Sequence, residues 1–352
     1  MYSIRETRTD HMLRTETKTD LYVFHQKGIS EINKEELTTR RFLQDVTEFG
    51  KVFAYGEGRL FNFNGNMAWE KDNTIVLMGK GLFPLLLDEE DIIVAERVND
   101  PHSLQRIKPD GTVVWQKGFT LSNERLVHEG NLYFSRIDDV SVRFPIVNKL
   151  SLKTGEFKEL INFNNYYHTK NLFRDVKDIK YNILTYYQDT LVCLVNSKRI
   201  VGVDTESGEI KWEVEEWHDR DGNKLDGFVG GLLQGGRYGD KIYILQATTF
   251  SRFDLQSNKL VQLRSIQNDL NNTPLFIQRG TLYKDKIFYT ADDRARNWNR
   301  VGVFDINKEE IVWQMEIPLP KGEMLNYNPV VSEKHFFMND NSKNLYIFDK
   351  MS

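Results

Sequence analysis

The residues whose types and spacing best suit chemistry are the oxygen donors of Asp219-Arg220-Asp221-Gly222-Asn223-Lys224-Leu225-Asp226-Gly227. Asp219, Asp221, Asn223 and Asp226 fall at near-alternate positions around a glycine turn, which suits calcium, a cation that takes about six to eight hard oxygens. The stretch departs from an EF-hand loop, because Lys224 stands where that loop has glycine and no bidentate glutamate follows. A hydrophilic connecting loop closed by a β-turn is the stronger expectation. The histidines, at 11, 25, 102, 128, 168, 218 and 335, show no metal-ligand spacing. Cys193 is the only cysteine, so an intrachain disulfide and a four-thiolate zinc site are both excluded. Its apolar neighbours Leu191, Val192, Leu194 and Val195 mark it as a small buried hydrophobe. Acidic pairs at Asp88-Glu89-Glu90-Asp91, Asp138-Asp139 and Asp292-Asp293 fall at strand junctions and read as solvated loops. A carboxylate dyad assembled across elements, as in glycoside hydrolysis, leaves no mark in linear spacing. No Gly-x-Ser-x-Gly elbow and no phosphate loop ending in Gly-Lys-Ser/Thr is present.

These residues need a scaffold, and composition bounds it. The 352 residues exceed twice a typical domain, which implies two or more domains unless one repeat architecture fills the length. Lysine and arginine number 47 against 51 acids, a formal charge of −4, so bulk positive charge does not serve nucleic-acid binding. At 40% hydrophobic and 12% aromatic, the chain is too apolar for disorder. The longest apolar stretch, residues 75–87, is interrupted by Lys80 and is too short to cross a bilayer. The segment Met-Tyr-Ser-Ile-Arg-Glu-Thr-Arg-Thr-Asp lacks the apolar core of a secretory signal. A cytoplasmic protein is expected, or a periplasmic or secreted one if a leader has been removed.

Internal repeats resolve the length. A polar turn feeding an apolar, aromatic-bearing run occurs eight times, starting at Thr19, Gly50, Glu90, Gly130, Asp189, Asp240, Asp285 and Glu333. A second pattern follows each copy: strand, tight polar turn, strand. It is clearest from Val201 to Trp212 and from Val301 to Trp313, where an aspartate precedes the tryptophan by eight positions. Shorter-turn versions end at Trp69 and Trp115, through Asn-Gly and Asp-Gly turns that favour hairpins. Copies without tryptophan run over residues 29–37, 150–157 and 253–261. Eight units of about 44 residues with no helical period predict an all-β, eight-bladed β-propeller over residues 1–352, a single domain. A seven-bladed ring with one merged unit is the alternative. The eighth unit ends after its third strand, so the extended segment from Tyr2 to Thr7 is expected to supply the fourth and close the ring.

The run Asp204, Ser207, Gly208, Trp212 resembles the tryptophan-docking repeat of the PQQ-like (quinoprotein) propellers, which reads roughly Ala-x-Asp-x-x-Thr-Gly-x-x-x-Trp. Gly202 and Gly302 stand at its small residue, Asp204 and Asp305 at its aspartate, Trp212 and Trp313 at its tryptophan. The resemblance spans the chain as architecture but is sharp in two units. It implies that Trp69, Trp115, Trp212 and Trp313 are wedges between blades, not cofactor platforms. The enzymes of that family carry a vicinal cysteine pair, a leader and an acidic calcium site beside the quinone. Only the lone Cys193 is present here, so no quinone cofactor is expected. The outer-membrane assembly lipoprotein of the same fold has an N-terminal lipid-anchored cysteine, which this sequence lacks. WD40 and kelch signatures are absent.

Topology then localises function. In four-stranded antiparallel blades the first and third turns share one end, and the second turn and the crossover share the other. The long insertions at residues 162–178, 216–227, 137–144 and 291–300 all belong to the second group. They carry Tyr166, Tyr167, His168, Arg174, Trp217, His218, Arg294, Arg296 and Trp298, of the types that anchor interfaces. The expected function is therefore a non-enzymatic scaffold, a monomer that binds a protein on this face. Assembly, inhibition and toxin neutralisation all fit such a role. The rival class is a quinone-dependent or carbohydrate-active enzyme with its site at the channel mouth.

Overall fold

A computed structural model describes residues 1–351 except 26–27, 47–48, 56–57, 73, 89–90, 97–102, 138–142, 171, 173–178, 226–234, 269, 293–298, 321 and 326–327. Second strands explain why the chain makes blades. Thr190–Val195 is buried at every residue. Its odd-numbered apolar residues Leu191, Cys193 and Val195 pack with residues of the preceding sheet, and Val192 and Leu194 with those of the following one. Successive strand side chains point to opposite faces, so a continuous apolar run demands a sheet on either side. His335–Asn339 behaves alike, with Phe336 and Met338 in one cluster and Phe337 in the next. Cys193 is fully buried in the first of these clusters, as its apolar context implied.

The result is eight four-stranded antiparallel sheets. They form an eight-bladed β-propeller, and the seven-bladed alternative falls. Blades 1 to 7 cover residues 12–44, 49–80, 82–117, 120–162, 181–214, 235–265 and 276–316. Blade 8 takes three strands from residues 330–350, and Tyr2–Arg8 pairs antiparallel with Leu345–Lys350 as its fourth. The ring is closed by its N-terminal strand, as the truncated last repeat required. Each blade interface holds its own hydrophobic cluster among the described residues.

The repeat marks are placed with two corrections. Trp115, Trp212 and Trp313 lie on outer strands, but Trp69 lies on the third strand, Asn66–Lys71. The cause is in blade 2: Phe49–Tyr55 is its first strand and Gly58–Phe63 its second. The copy starting at Gly50 is therefore one strand out of phase with the other seven. Both runs follow a turn and carry aromatics, so sequence did not separate them. All four tryptophans still face the next blade. Trp115 donates its indole N–H to the Leu152 carbonyl of blade 4 at 2.9 Å, and the Trp313 ring meets Phe336 and Phe348 of blade 8 edge-on. The Trp212 ring covers Gly202, where a Cβ would stand 2.2 Å from its Cε2 atom, and lies 5.8 Å from Phe253 of blade 6. Gly302 is covered instead by Tyr289.

The third turns explain the recurrent aspartates. The Oδ1 atoms of Asp204, Asp254 and Asp305 each accept backbone N–H bonds from the residues two and three positions on, at 2.7–3.1 Å. Such local bonds favour turns over strand continuation. They hold Asp204 well below the usual carboxylate range, chiefly through the Ser207 N–H and Lys211. At Asp305 partial burial works upward, but the Lys308 N–H, Lys286 and the Asn307 N–H together pull it down.

Candidate functional site

Strand alternation puts second turns and crossovers at one end of the ring, and the crossovers are unequal. Those leaving blades 4 to 7 span residues 163–180, 215–234, 266–275 and 317–329; the other four take one to four residues. The segments 162–178 and 216–227 are crossovers, and 137–144 and 291–300 join second to third strands, as the repeat phase implied. Sequence reading missed the crossovers at 266–275 and 317–329. Arg174, Arg294, Arg296, Trp298 and Asp226 lie outside the described residues.

The first crossover contains the one helix among the described residues, Phe163–Thr169, against the expectation of no helix. Asn162 caps it by accepting the Asn165 N–H, and Asn164 accepts the Ile179 N–H. So short a helix is held by tertiary packing. Phe163 and Tyr167 are fully buried between blades 4 and 5. Tyr167 is thus a core residue whose phenol is pushed up by burial and by Glu213, not a contact residue. Tyr166 reaches outward and donates to Glu213 at 2.7 Å, while Lys170 bonds the same phenol oxygen. His168 is exposed on the last turn. Arg199, only 8% exposed, joins Glu213 at 2.9 Å and Glu215 at 2.5 Å. Sequence reading overlooked this cluster because it depends on register. Ile200 pairs with Val214, which sets Arg199 across from Glu215 with Glu213 on the diagonal.

The second crossover folds down the rim. Residues 217–225 form a hairpin in which the Leu225 N–H meets the Trp217 carbonyl and Asp219 N–H the Asn223 carbonyl. One arm adds to the edge of blade 6, since His218 N–H donates to Leu260 and Gln262 N–H to His218. Trp217, 8% exposed, plugs the cluster between blades 5 and 6 and packs the hairpin down; it is not a surface anchor. Asp219 Oδ1 accepts the Asp221 and Asn223 N–H groups and its Oδ2 accepts the Asn223 amide, so this carboxylate closes a turn. Those bonds, led by Asn223, lower its pKa. Among the described residues no three or more His, Cys, Asp or Glu side chains group as metal ligands. Arg220 reaches blade 7 and pairs with Glu309.

Between the Glu213–Glu216 segment, this hairpin and residues 258–261 lies a groove of about 880 Å³. His218 lines this groove, whereas Tyr166 stands outside its lining and touches it only through Glu213. The wall offers carboxylates already held by Arg199 and Lys224, with His218, Arg220 and Lys259 beside them. Two further cavities of about 720 and 690 Å³ follow the inner strands and share Val52 and Phe53. Their described acids are Glu16, paired with Lys34, and Asp20. Of the acidic pairs, Asp91 binds Arg106 at 2.6 Å and Asp292 accepts from Gln278 at 2.8 Å.

No protein-family description matches the chain, and no curated protein sequence does. Solved structures do. The chain is similar to BamB from Moraxella catarrhalis, with a TM-score of 0.56 and 11% identity over 99% of this chain and 100% of that one. It is similar to the C-terminal WD40 domain of Sif2, with a TM-score of 0.62 and 9% identity over 100% and 99%. Sqt1 from Saccharomyces cerevisiae gives 0.58 and 10% identity over 100% and 98%. At such identities the likeness is one of fold.

Proposed function

We propose that the chain is a non-enzymatic scaffold of the PQQ-like repeat type that holds a protein partner on its crossover-rich side, in assembly or inhibition. One observation carries this reading: the chain places its long crossovers between blades 4 and 8 and folds one of them, from Glu215 to Gly222, against blades 5 and 6 as the wall of a pre-organised groove. Loops fixed on a rigid frame are where binding concentrates, and a wall already locked by Arg199 loses little freedom on contact. The tryptophan wedges at Trp115, Trp212 and Trp313 support the repeat type. Affinity capture from the native cell tests the assignment. The wild type is expected to recover a discrete partner, and His218→Ala/Arg220→Ala/Lys259→Ala to recover on the order of 10–100-fold less. Equal recovery by the triple variant contradicts the groove, and dye reduction on adding calcium and pyrroloquinoline quinone contradicts the class.

A further inference from the structure

A strand at the margin of a sheet presents unpaired N–H and C=O groups, and proteins blunt such edges with charge, brevity or a cover. This ring does so at most of its outer strands. Tyr2–Arg8, Thr39–Gln44, Phe157–Asn162 and Ile210–Val214 carry charges within them, and Lys259–Ser265 is covered by the 217–225 hairpin. The outer strand of blade 2, Thr74–Lys80, is different. It is seven residues long, ends its sheet, and has no charge from Ile75 to Gly79. Glu310–Glu316 is uncharged from Ile311 to Met315 as well but has none of those five exposed, and Val113–Lys117 is only five residues long. Val76 is 49% exposed and Leu77 56%.

We infer that this edge is the contact between two copies of the chain, pairing antiparallel strand to strand about a two-fold axis at Leu77. An isologous contact needs a self-complementary patch, and this one qualifies. The register sets Leu77 opposite Leu77, Val76 opposite Met78 and Thr74 opposite Lys80. Uncharged residues 75–79 meet without repulsion, and Lys80 falls diagonal to Asp72 of the second copy, an attraction made twice by symmetry. Lys259–Ser265 shows within one chain that an outer edge of this ring takes on added backbone, there through a single parallel bridge at His218. The monomer expected from sequence gives way to a weak dimer.

Sedimentation tests it. At roughly 100 µM, a range suited to a small interface, the wild type is expected to move from 41.4 kDa toward twice that mass. Leu77→Lys stays at 41.4 kDa with an unchanged circular dichroism spectrum. With oxidised glutathione, Leu77→Cys is expected to form a disulfide-linked dimer at least about tenfold faster than Val113→Cys, because pairing raises the local thiol concentration. Val113 is 48% exposed, so accessibility is matched, and buried Cys193 does not compete. A wild type that stays monomeric, or equal cross-linking at 77 and 113, overturns the inference. If Leu77→Lys does not fold, the two cysteine rates still decide.

Discussion

Gly208→Ala is expected to lower stability by about 2–5 kcal/mol, among the largest effects of any single-methyl change in this ring. Gly208 ends the third turn of blade 5 at φ +80°, a left-handed conformation that costs an L-residue roughly 1–2 kcal/mol. A Cβ there would stand 1.9 Å from the Leu160 carbonyl oxygen of blade 4. That atom is backbone in an outer strand, so it cannot swing aside, and overpacking of this kind typically costs about 1–3 kcal/mol more. Lys158 also clamps the turn by donating to the Glu206 carbonyl at 2.6 Å, so the two blades cannot part freely. Gly111→Ala is the control. Its φ is +86° but nothing lies within 4 Å of its Cβ position, so only the backbone cost of roughly 1–2 kcal/mol remains. Denaturant midpoints at unchanged m-value measure both. Equal losses at 208 and 111 would show that the third turn does not bear on the neighbouring blade.

Deleting residues 1–8 should be more damaging still. The deletion strips Leu345–Lys350 of a partner along its length and leaves the apolar run Leu-Tyr-Ile-Phe as an open edge, a template for aggregation. It also removes Tyr2, whose ring meets Phe288, Trp313 and Phe336 at 5.2–5.7 Å and ties blade 7 to blade 8. Tyr2→Ala alone is expected to cost about 2–3 kcal/mol, below the fully buried range because the residue is only half-buried. The truncated chain should aggregate at temperatures where Tyr2→Ala remains monodisperse, and a synthetic peptide of residues 1–8 should restore solubility. A truncated chain with a wild-type denaturation midpoint would refute closure by this strand.

What sequence made legible follows from which forces act locally. Blade number and ring closure were readable because second strands are buried on both faces, leaving continuous runs such as Leu191 to Val195. Turn chemistry was readable at Asp204 and Asp305, where the side chain bonds its own turn. Blade 2 was read one strand out of phase, since Phe49–Tyr55 and Gly58–Phe63 look alike and only pairing distinguishes them. The Phe163–Thr169 helix has a visible cap in Asn162, but two turns carry too little periodicity to declare a helix. At the candidate site, residue type pointed to His218, which lines the groove, and to Tyr166, which bonds Glu213 of its wall, but equally to Tyr167 and Trp217, which fill the core. Aromatic loops look the same whether they pack inward or await a partner. Arg199, Glu213 and Glu215 were invisible because only the strand register brings them together.

The groove between blades 5 and 6 is the proposed surface for a partner. Site-specific photocross-linking in the native cell tests that most directly, with the photoreactive residue placed at position 220 on the hairpin or at position 110 on the third turn of blade 3. A discrete heavier adduct from position 220, and none from position 110, is the predicted result. Adducts from 110 and none from 220 would place the partner elsewhere and contradict it.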